Sequence, residues 1–195
     1  MADDPYIYPG TDVLRNRLDI RDAADLAERE AALSAIRIAQ LERHFIPSGY
    51  DLAHLQAIHR HIFGDVYPWA GELRTVRISK GGDLFALPDH IDPYLRRLLA
   101  DLAREGLLGG LRRERFVERL AHYYAELNAV HPFREGNGRA QRAFLGQVAK
   151  TAGHPIAWAR LDAERNVHVA RESHRGRDSA LREMLHDLVK MPGEP

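Results

Sequence analysis

The sequence contains no cysteine among its 195 residues, which excludes disulfides, thiolate metal sites and cysteine nucleophiles. It has no excess charge of either sign, since 28 lysines and arginines balance 28 aspartates and glutamates. A general binder of nucleic acid or of membrane surfaces is therefore disfavoured. No apolar run approaches the roughly 20 residues of a membrane helix, and the acidic start, broken by Pro5 and Pro9, is unlike a signal peptide. We expect a soluble, cytoplasmic protein with no membrane partner and no direct nucleic-acid partner.

The composition is that of a globular protein, with 45% hydrophobic and 29% charged residues. Apolar residues recur at helical spacing, and no repeat or long linker divides the chain. The sequence therefore predicts one mainly α-helical domain over residues 1–195, with an N-terminal arm over 1–21. Asp22, Asp51, Asp162 and Asp178 are predicted to start helices, and Leu26, Leu33, Ile36 and Leu41 to line the buried side of the first. Another helix is predicted to start at Asp92 and Pro93, because proline at the first helical position lacks only a donor that is unpaired anyway.

Residues 73–87 have a different pattern, in which polar and β-branched residues alternate from Arg74 to Ser79. Gly81 and Gly82 offer a turn, and residues 84–87 offer a returning strand, so the pattern predicts a small β-hairpin. An isolated hairpin has unpaired edges, to which an extended segment of a partner can add a strand. A packed or mobile loop without a partner is the alternative interpretation.

The segment from Val130 to Arg142 concentrates residue types that suit phosphate chemistry. Gly136 and Gly138 flank Asn137, so the backbone can take positive φ angles and direct successive N–H groups into one concavity. Helical periodicity follows from Ala140 onward, which predicts that this concavity opens a helix whose amino end also favours negative charge. A phosphate group is the natural ligand of such a site.

Charged and titratable side chains surround this predicted nest. Arg139 and Arg142 are three residues apart, which places them on one helix face, and two guanidinium groups suit a polyphosphate. Glu135 would repel phosphate unless a cation lay between them, which indicates Mg²⁺. His131 titrates near neutrality and can accept a proton from an attacking hydroxyl.

Each of these features is common in proteins that have no such site. A Gly-Asn-Gly run is often a turn, two arginines are often a solvated face, and a single histidine is often structural. It is their joint occurrence in one short segment that favours a phosphate site. Walker-type and dinucleotide-type glycine spacings are absent. His59 and His61 are two apart on a predicted helix and therefore diverge, so they are not expected to form a metal pair.

The segment HPFREGNGRAQR resembles the signature of the Fic family, HxFx(D/E)GNGRxxR, at every defined position. The similarity extends to YPGTDVLRNRLDI near the start and to GDVYPWAGELRTVRISKG before the motif. It therefore covers nearly the whole chain, which resembles small bacterial Fic proteins.

The resemblance implies an α-helical fold with a β-hairpin flap beside the active site. It also implies transfer of AMP from ATP to a tyrosine, serine or threonine hydroxyl of a target protein. In this family the base deprotonates the hydroxyl, Mg²⁺ lies between the phosphates, and the motif arginines neutralise the β- and γ-phosphates. The residues so implied are His131 and Arg139 for catalysis, Glu135 for the metal, Gly136, Asn137, Gly138, Arg139 and Arg142 for the nucleotide, and the flap residues Val76, Arg77, Ile78, Ser79 and Lys80 for docking the target.

Regulation is also implied by the resemblance. Many Fic enzymes are silenced by a helix carrying (S/T)xxxE(G/N), whose glutamate pairs with the second motif arginine, here Arg142. Residues from Ser179 to Glu183 match in part, but Met184 follows in place of glycine or asparagine. The resemblance therefore favours a toxin inhibited by a separate small antitoxin protein, with self-inhibition by Glu183 as the alternative. Similar toxins modify type II topoisomerase subunits, which are the targets expected from the family.

Two other functions remain open at this stage. One is transfer of a phosphoryl or other nucleotide-derived group, as in divergent Fic relatives, which usually depart from the full motif. The other is a non-catalytic adaptor that binds nucleotide or a partner. The complete motif disfavours both, because an adaptor needs no base and this sequence departs from the signature nowhere.

Overall fold

The computed structural model of the protein describes residues 4–47, 49–80 and 82–190. These parts of the chain fold into seven α-helices and one two-stranded hairpin, which confirms the predicted all-α class. The helices are α1 (Ala23–Arg43), α2 (Leu52–Phe63), α3 (Pro88–Arg104), α4 (Arg113–Val130), α5 (Asn137–Thr151), α6 (Ala163–His174) and α7 (Ser179–Leu188). The strands are β1 (Ser79–Lys80) and β2 (Asp83–Leu84), paired antiparallel with Ser79 opposite Leu84.

Three of the predicted helix starts are confirmed by side-chain caps. Asp22 accepts hydrogen bonds from two backbone N–H groups of the first turn of α1. Asp51 caps α2 through the N–H of His54, and Asp162 caps α6 through the N–H of Arg165. Each carboxylate satisfies a donor that has no partner inside its helix.

Two details of the predicted helices are wrong. Helix α3 begins at Pro88, five residues earlier than expected, and Pro93 lies inside it. Pro88 takes the first helical position, where a missing N–H costs nothing. Ile36 is 58% exposed, whereas the buried face of α1 includes the polar residues Glu30 and Ser34. Leu26 and Leu41 are buried and Leu33 packs against the core as predicted, so only Ile36 was assigned to the wrong side of α1.

The buried hydrophobic residues of all the helices form one cluster. Helix α5 packs against both α2 and α4, so the motif loop between α4 and α5 lies between these helices. Phe133 in that loop is fully buried. No helix in the described ranges is long and apolar enough to cross a membrane.

The N-terminal arm packs against the motif loop. Asp4 forms an ion pair with Arg134, with 2.8 Å between Nη2 and Oδ2. The ring of Tyr6 meets that of Trp69 edge to face, and its hydroxyl accepts a hydrogen bond from the N–H of Thr75 at 3.1 Å. The arm is thereby joined to the loop and to the base of the hairpin.

The hairpin is much shorter than predicted, because Arg74 lies in the interior instead of alternating outward. Arg74 is 2% exposed, and its guanidinium donates hydrogen bonds to the carbonyls of Val76, Ala86, Val130 and His131 at 2.6–3.1 Å. The two stems of the hairpin are thus bridged by one side chain rather than by a strand ladder. Paired strand is confined to the tip, where Gly82 has a φ of +89°. Gly81, the other predicted turn residue, lies outside the described residues.

Within the described ranges no ion pair joins Arg74 to an acidic side chain, so carbonyl dipoles stabilise its charge. Burial lowers its pKa from the ordinary value. The four carbonyls belong to the hairpin stems and to the C-terminal end of α4 with its following residue. A single side chain therefore connects the flap with the start of the motif loop.

We predict that Arg74→Met lowers the free energy of unfolding by about 3 kcal/mol or more, because each buried carbonyl left without a donor costs about 1–3 kcal/mol. Urea denaturation followed by circular dichroism measures the change. Arg77→Met is the matched control on the exposed side of the same segment, with an expected effect within about 0.5 kcal/mol. Equal stability of the two variants would contradict this role of Arg74.

Candidate active site

A cavity of about 420 Å³ lies between the flap, the motif loop, and helices α4, α5 and α6. It brings together every motif residue to which the sequence analysis gave a role, together with two of the flap residues. The motif residues that line it are His131, Glu135, Gly136, Asn137, Gly138, Arg139 and Arg142, and the flap residues are Ile78 and Ser79. Val76 and Arg77 do not line the cavity, and Lys80 belongs to β1.

His131 follows the last residue of α4 and has a left-handed backbone conformation, with φ 48° and ψ 65°. This conformation is uncommon for a residue with a side chain. It is stabilised by a hydrogen bond of 2.8 Å from Arg74 Nε to the carbonyl oxygen of His131. The imidazole stacks on the ring of Phe85, with 4.0 Å between centroids. Its Nδ1 lies 3.3 Å from the carbonyl oxygen of Asn128. Because a carbonyl only accepts, this contact places the proton of the neutral ring on Nδ1 and the lone pair on Nε2.

The side chain of Asn137 closes the motif loop. Its Oδ1 accepts the N–H of Phe133 and its Nδ2 donates to the carbonyl of the same residue, both at 2.8 Å. Both polar atoms of this buried amide are therefore engaged inside the loop. A contribution of Asn137 to anion binding is left to its backbone N–H.

The amino end of α5 supplies the donors of the predicted nest. Gly136 has a φ of +79°, and a Cβ atom there would lie 2.3 Å from the ring of Phe63, so only glycine fits. Gly138 is helical, so the second positive φ that was expected at this residue is wrong. A Cβ atom on Gly138 would lie 3.2 Å from Nη1 of Arg142, so the glycine leaves space for that side chain. The N–H of Ala140 is the first bonded within the helix, to the Gly136 carbonyl. The three preceding N–H groups are the ones that a helix leaves for a ligand.

The two motif arginines differ in their surroundings. Arg139 donates to the carboxylate of Glu30 and to the hydroxyl of Ser34, both on α1. Arg142 forms no ion pair with a carboxylate in the described parts of the chain. It lies beside Tyr124, whose pKa is raised by burial, and the Arg142 charge partly offsets that shift. The charge of Arg142 is therefore the one that remains for a ligand.

Glu135 is the carboxylate of the cavity, and its side chain is 46% exposed. Its Oε1 accepts the N–H of Gly136 at 2.8 Å and lies 3.7 Å from Nη2 of Arg139. The described residues contain no cluster of three or more histidine, aspartate or glutamate side chains suited to a metal. Glu135 fits a cation held by one carboxylate together with phosphate oxygens, which is a usual arrangement for Mg²⁺.

His59 is a residue beside the site for which the sequence analysis considered, and disfavoured, only a metal pair with His61. It is fully buried and stacks on Phe133, with 3.8 Å between ring centroids. Its Nδ1 accepts the N–H of Gly71 at 2.8 Å, so its Nε2 carries the proton and donates to the carbonyl of Glu135 at 2.9 Å. His59 thereby fixes the backbone of the proposed metal ligand. Its spacing of four from Leu55, on the buried stripe of α2, is the signal that could have identified it.

Comparison with known proteins agrees with this geometry. Residues 49–149 match the Fic/DOC family. The chain is 40% identical to a probable protein adenylyltransferase Fic of Escherichia coli over 98% of its length and 94% of that protein. It is 41% identical to the protein adenylyltransferase VbhT of Bartonella schoenbuchensis, over 94% of this chain but 38% of that protein. The crystal structure of a Bartonella tribocorum effector, BepC, with bound AMPPNP superposes with a TM-score of 0.88 at 26% identity, covering 95% of this chain and 96% of that one.

The chain therefore belongs to the Fic/DOC family. Within that family it is a protein adenylyltransferase, an enzyme that transfers AMP from ATP to protein.

Acid is expected to destabilise the protein through His59. Burial lowers the pKa of His59 from 6.5 to about 4, so the folded state requires a neutral ring that the unfolded state protonates more readily. This stability is fully present above pH 6.5 and is lost as the pH falls toward 4, by at most about 3 kcal/mol. Urea denaturation at a series of pH values measures the free energy of unfolding, which should depend less on pH in this interval for His59→Gln than for wild type. The exposed His90→Gln is the control, and a wild-type pH dependence in His59→Gln would contradict the assignment.

Proposed function

We propose that the protein transfers AMP from ATP to a hydroxyl side chain of a target protein, with His131 as the general base. The observation that carries this proposal is the arrangement of the His131 imidazole, the exposed Glu135 carboxylate, the amino end of α5 and Arg142 around a single cavity. Its volume of about 420 Å³ is within the ordinary range for small-ligand sites.

The proposed reaction is an in-line displacement. His131 Nε2 takes the proton of the target hydroxyl, whose oxygen then forms a bond to the α-phosphorus. The bond from that phosphorus to the bridging oxygen breaks, and pyrophosphate leaves with the additional negative charge. The backbone donors at the start of α5 and the guanidinium of Arg142 are placed to stabilise this charge.

Glu135 would hold Mg²⁺ together with the phosphates. When bound, the cation supplies positive charge that offsets the repulsion between the triphosphate and the carboxylate. The N–H of Gly136 holds the Glu135 carboxylate, and the bond from His59 to the Glu135 carbonyl holds its backbone beside the cavity.

The flap is proposed to dock the target through backbone contacts of residues 76–80. Ile78 and Ser79 line the cavity beside His131, so a strand added at this edge would bring its side chains close to the imidazole. Leu84 on the opposite strand is 74% exposed, which leaves an apolar contact at the flap for the target. The family expectation of type II topoisomerase subunits as targets is kept as part of this proposal.

Regulation by a separate antitoxin is proposed to act at Arg142. A groove of about 250 Å³ between α1, α5 and residues 155–158 is lined by Arg139 and Arg142 and by apolar side chains such as Leu41 and Trp158. A helix in this groove could pair a glutamate with Arg142 and exclude the γ-phosphate. Glu183 instead lines a different cavity, between α4 and α7, and forms no ion pair with Arg142. This geometry favours an inhibitor from another chain over self-inhibition.

We predict that His131→Ala abolishes detectable AMP transfer while ATP binding persists, because a positioned base contributes about 10²–10⁴ in rate. Purified protein, Mg²⁺ and bacterial lysate are incubated with ATP labelled at either the α- or the γ-phosphate. Label in protein from the α position alone identifies adenylylation. Label from the γ position alone identifies phosphoryl transfer, and absence of label from both positions favours an adaptor. Transfer by His131→Ala at near the wild-type rate would show that His131 is not the general base.

Arg142→Ala should weaken ATP binding and transfer together, because it removes the cation that lacks an acidic partner in the described chain. We expect kcat/KM to fall by about 10²-fold, which is the effect of removing one hydrogen-bond donor that stabilises the charge on the leaving group. Calorimetry with ATP and the α-label assay measure the two quantities. Arg171→Ala, on α6 at the rim of the same cavity, controls for a general loss of positive charge. Equal effects of both substitutions would contradict a specific role of Arg142.

A further inference from the structure

Glu30 is a charged residue on the buried face of α1, and both of its carboxylate oxygens have partners. Oε1 accepts a hydrogen bond from Nη2 of Arg139, and Oε2 accepts one from the hydroxyl of Tyr67. The Glu30 side chain is 10% exposed and that of Arg139 is 25% exposed. Desolvation offsets much of the attraction in a buried ion pair, so such a pair is weak evidence for a stabilising role. A role in the adjoining site accounts for it better.

The guanidinium of Arg139 is held from three directions. Glu30 and Ser34 are four residues apart on α1, hence on one face, and Ser34 accepts from Nη1 at 3.0 Å. The ring of Phe63 on α2 lies 4.7 Å from the guanidinium carbon. Glu135 approaches Nη2 at 3.7 Å on the cavity side. Arg139 therefore has one orientation, set chiefly by residues outside the motif.

The charge of Arg139 is balanced before any ligand arrives. Glu30 neutralises it within the protein, whereas Arg142 has no acidic partner among the described residues. The balanced arginine adds little to the attraction of free ATP. It gains interaction only as negative charge increases on the departing pyrophosphate, and an interaction that strengthens in the transition state raises kcat without tightening substrate binding.

We propose that Glu30 is a positioning residue for AMP transfer, which holds Arg139 in the orientation that stabilises the leaving pyrophosphate. This inference rests on the proposed function. Ser34 contributes to the same orientation without charge, and Tyr67 fixes the second carboxylate oxygen. Glu30 and Ser34 thus position a motif residue from a helix outside the signature.

Glu30→Gln tests the proposal, because it keeps the size of the side chain and an acceptor for Tyr67 while it removes the charge. We expect kcat for AMP transfer to fall by about 10- to 100-fold, part of the roughly 10²–10³ expected for a lost donor. The Kd for ATP, measured by calorimetry without target, should stay unchanged or become tighter, since a negative charge near the phosphates is gone. Thermal unfolding verifies that the variant is folded.

Two further variants separate positioning from packing. Ser34→Ala removes one orienting hydrogen bond without a change of charge, and it should lower kcat by about 3- to 10-fold with the same Kd for ATP. Glu28→Gln makes the same charge change on an exposed position of α1 and should leave both quantities at the wild-type level.

A double-mutant cycle tests whether Glu30 acts through Arg139. On an Arg139→Lys background, which retains a cation opposite Glu30, Glu30→Gln should lower kcat by less than about twofold further. The proposal is overturned by a wild-type kcat in folded Glu30→Gln, by a parallel weakening of ATP binding, or by an undiminished effect in the Arg139→Lys background. If wild type transfers no AMP, the proposed function fails and this inference fails with it, whereas an active wild type with an unchanged kcat in folded Glu30→Gln overturns the inference alone.

Discussion

The buried guanidinium of Arg74 is the interaction on which the geometry of the active site depends. Its hydrogen bonds reach both stems of the flap, the end of α4 and the carbonyl of His131. A left-handed histidine and a hairpin with two paired residues in each strand are both unfavourable alone. Because one side chain holds both, the separation between the imidazole and the flap is fixed. His131 and the flap edge therefore form one structural unit.

A second layer of side chains fixes the phosphate end of the site. Asn137 closes the motif loop, His59 holds the backbone of Glu135, and Glu30 orients Arg139. These three polar side chains are buried, and each has its hydrogen bonds satisfied inside the protein. Satisfied buried networks are rigid because every alternative arrangement leaves a polar group unpaired. Such rigidity suits a reaction in which the protein chiefly positions phosphates and balances their charge.

The two motif arginines illustrate how neighbouring residues of one signature acquire different tasks. On a helix wheel Arg139 and Arg142 are equivalent cations near an amino end. Both arginines line the same two cavities, but in the folded chain α1 places Glu30 against the first, whereas no carboxylate among the described residues forms an ion pair with the second. In the proposed mechanism the first acts on the transition state, and the second attracts the triphosphate and accepts a competing glutamate of an inhibitor. The difference comes from α1, about 105–109 positions away along the chain.

Local sequence was sufficient for the helical class, for the aspartate caps of α1, α2 and α6, and for the residues of the motif cavity, because these depend on neighbours within one or two turns. Tertiary packing decided the rest. Arg74 sits in an alternating pattern that is typical of a strand, and only its carbonyl partners, up to 57 residues away, make it an interior bridge. His59 and Glu30 look like ordinary polar residues of amphipathic helices until α1, α2 and the motif loop come together. Long-range hydrogen bonds of this kind have no signature in local periodicity, since both partners must be placed before either has a role.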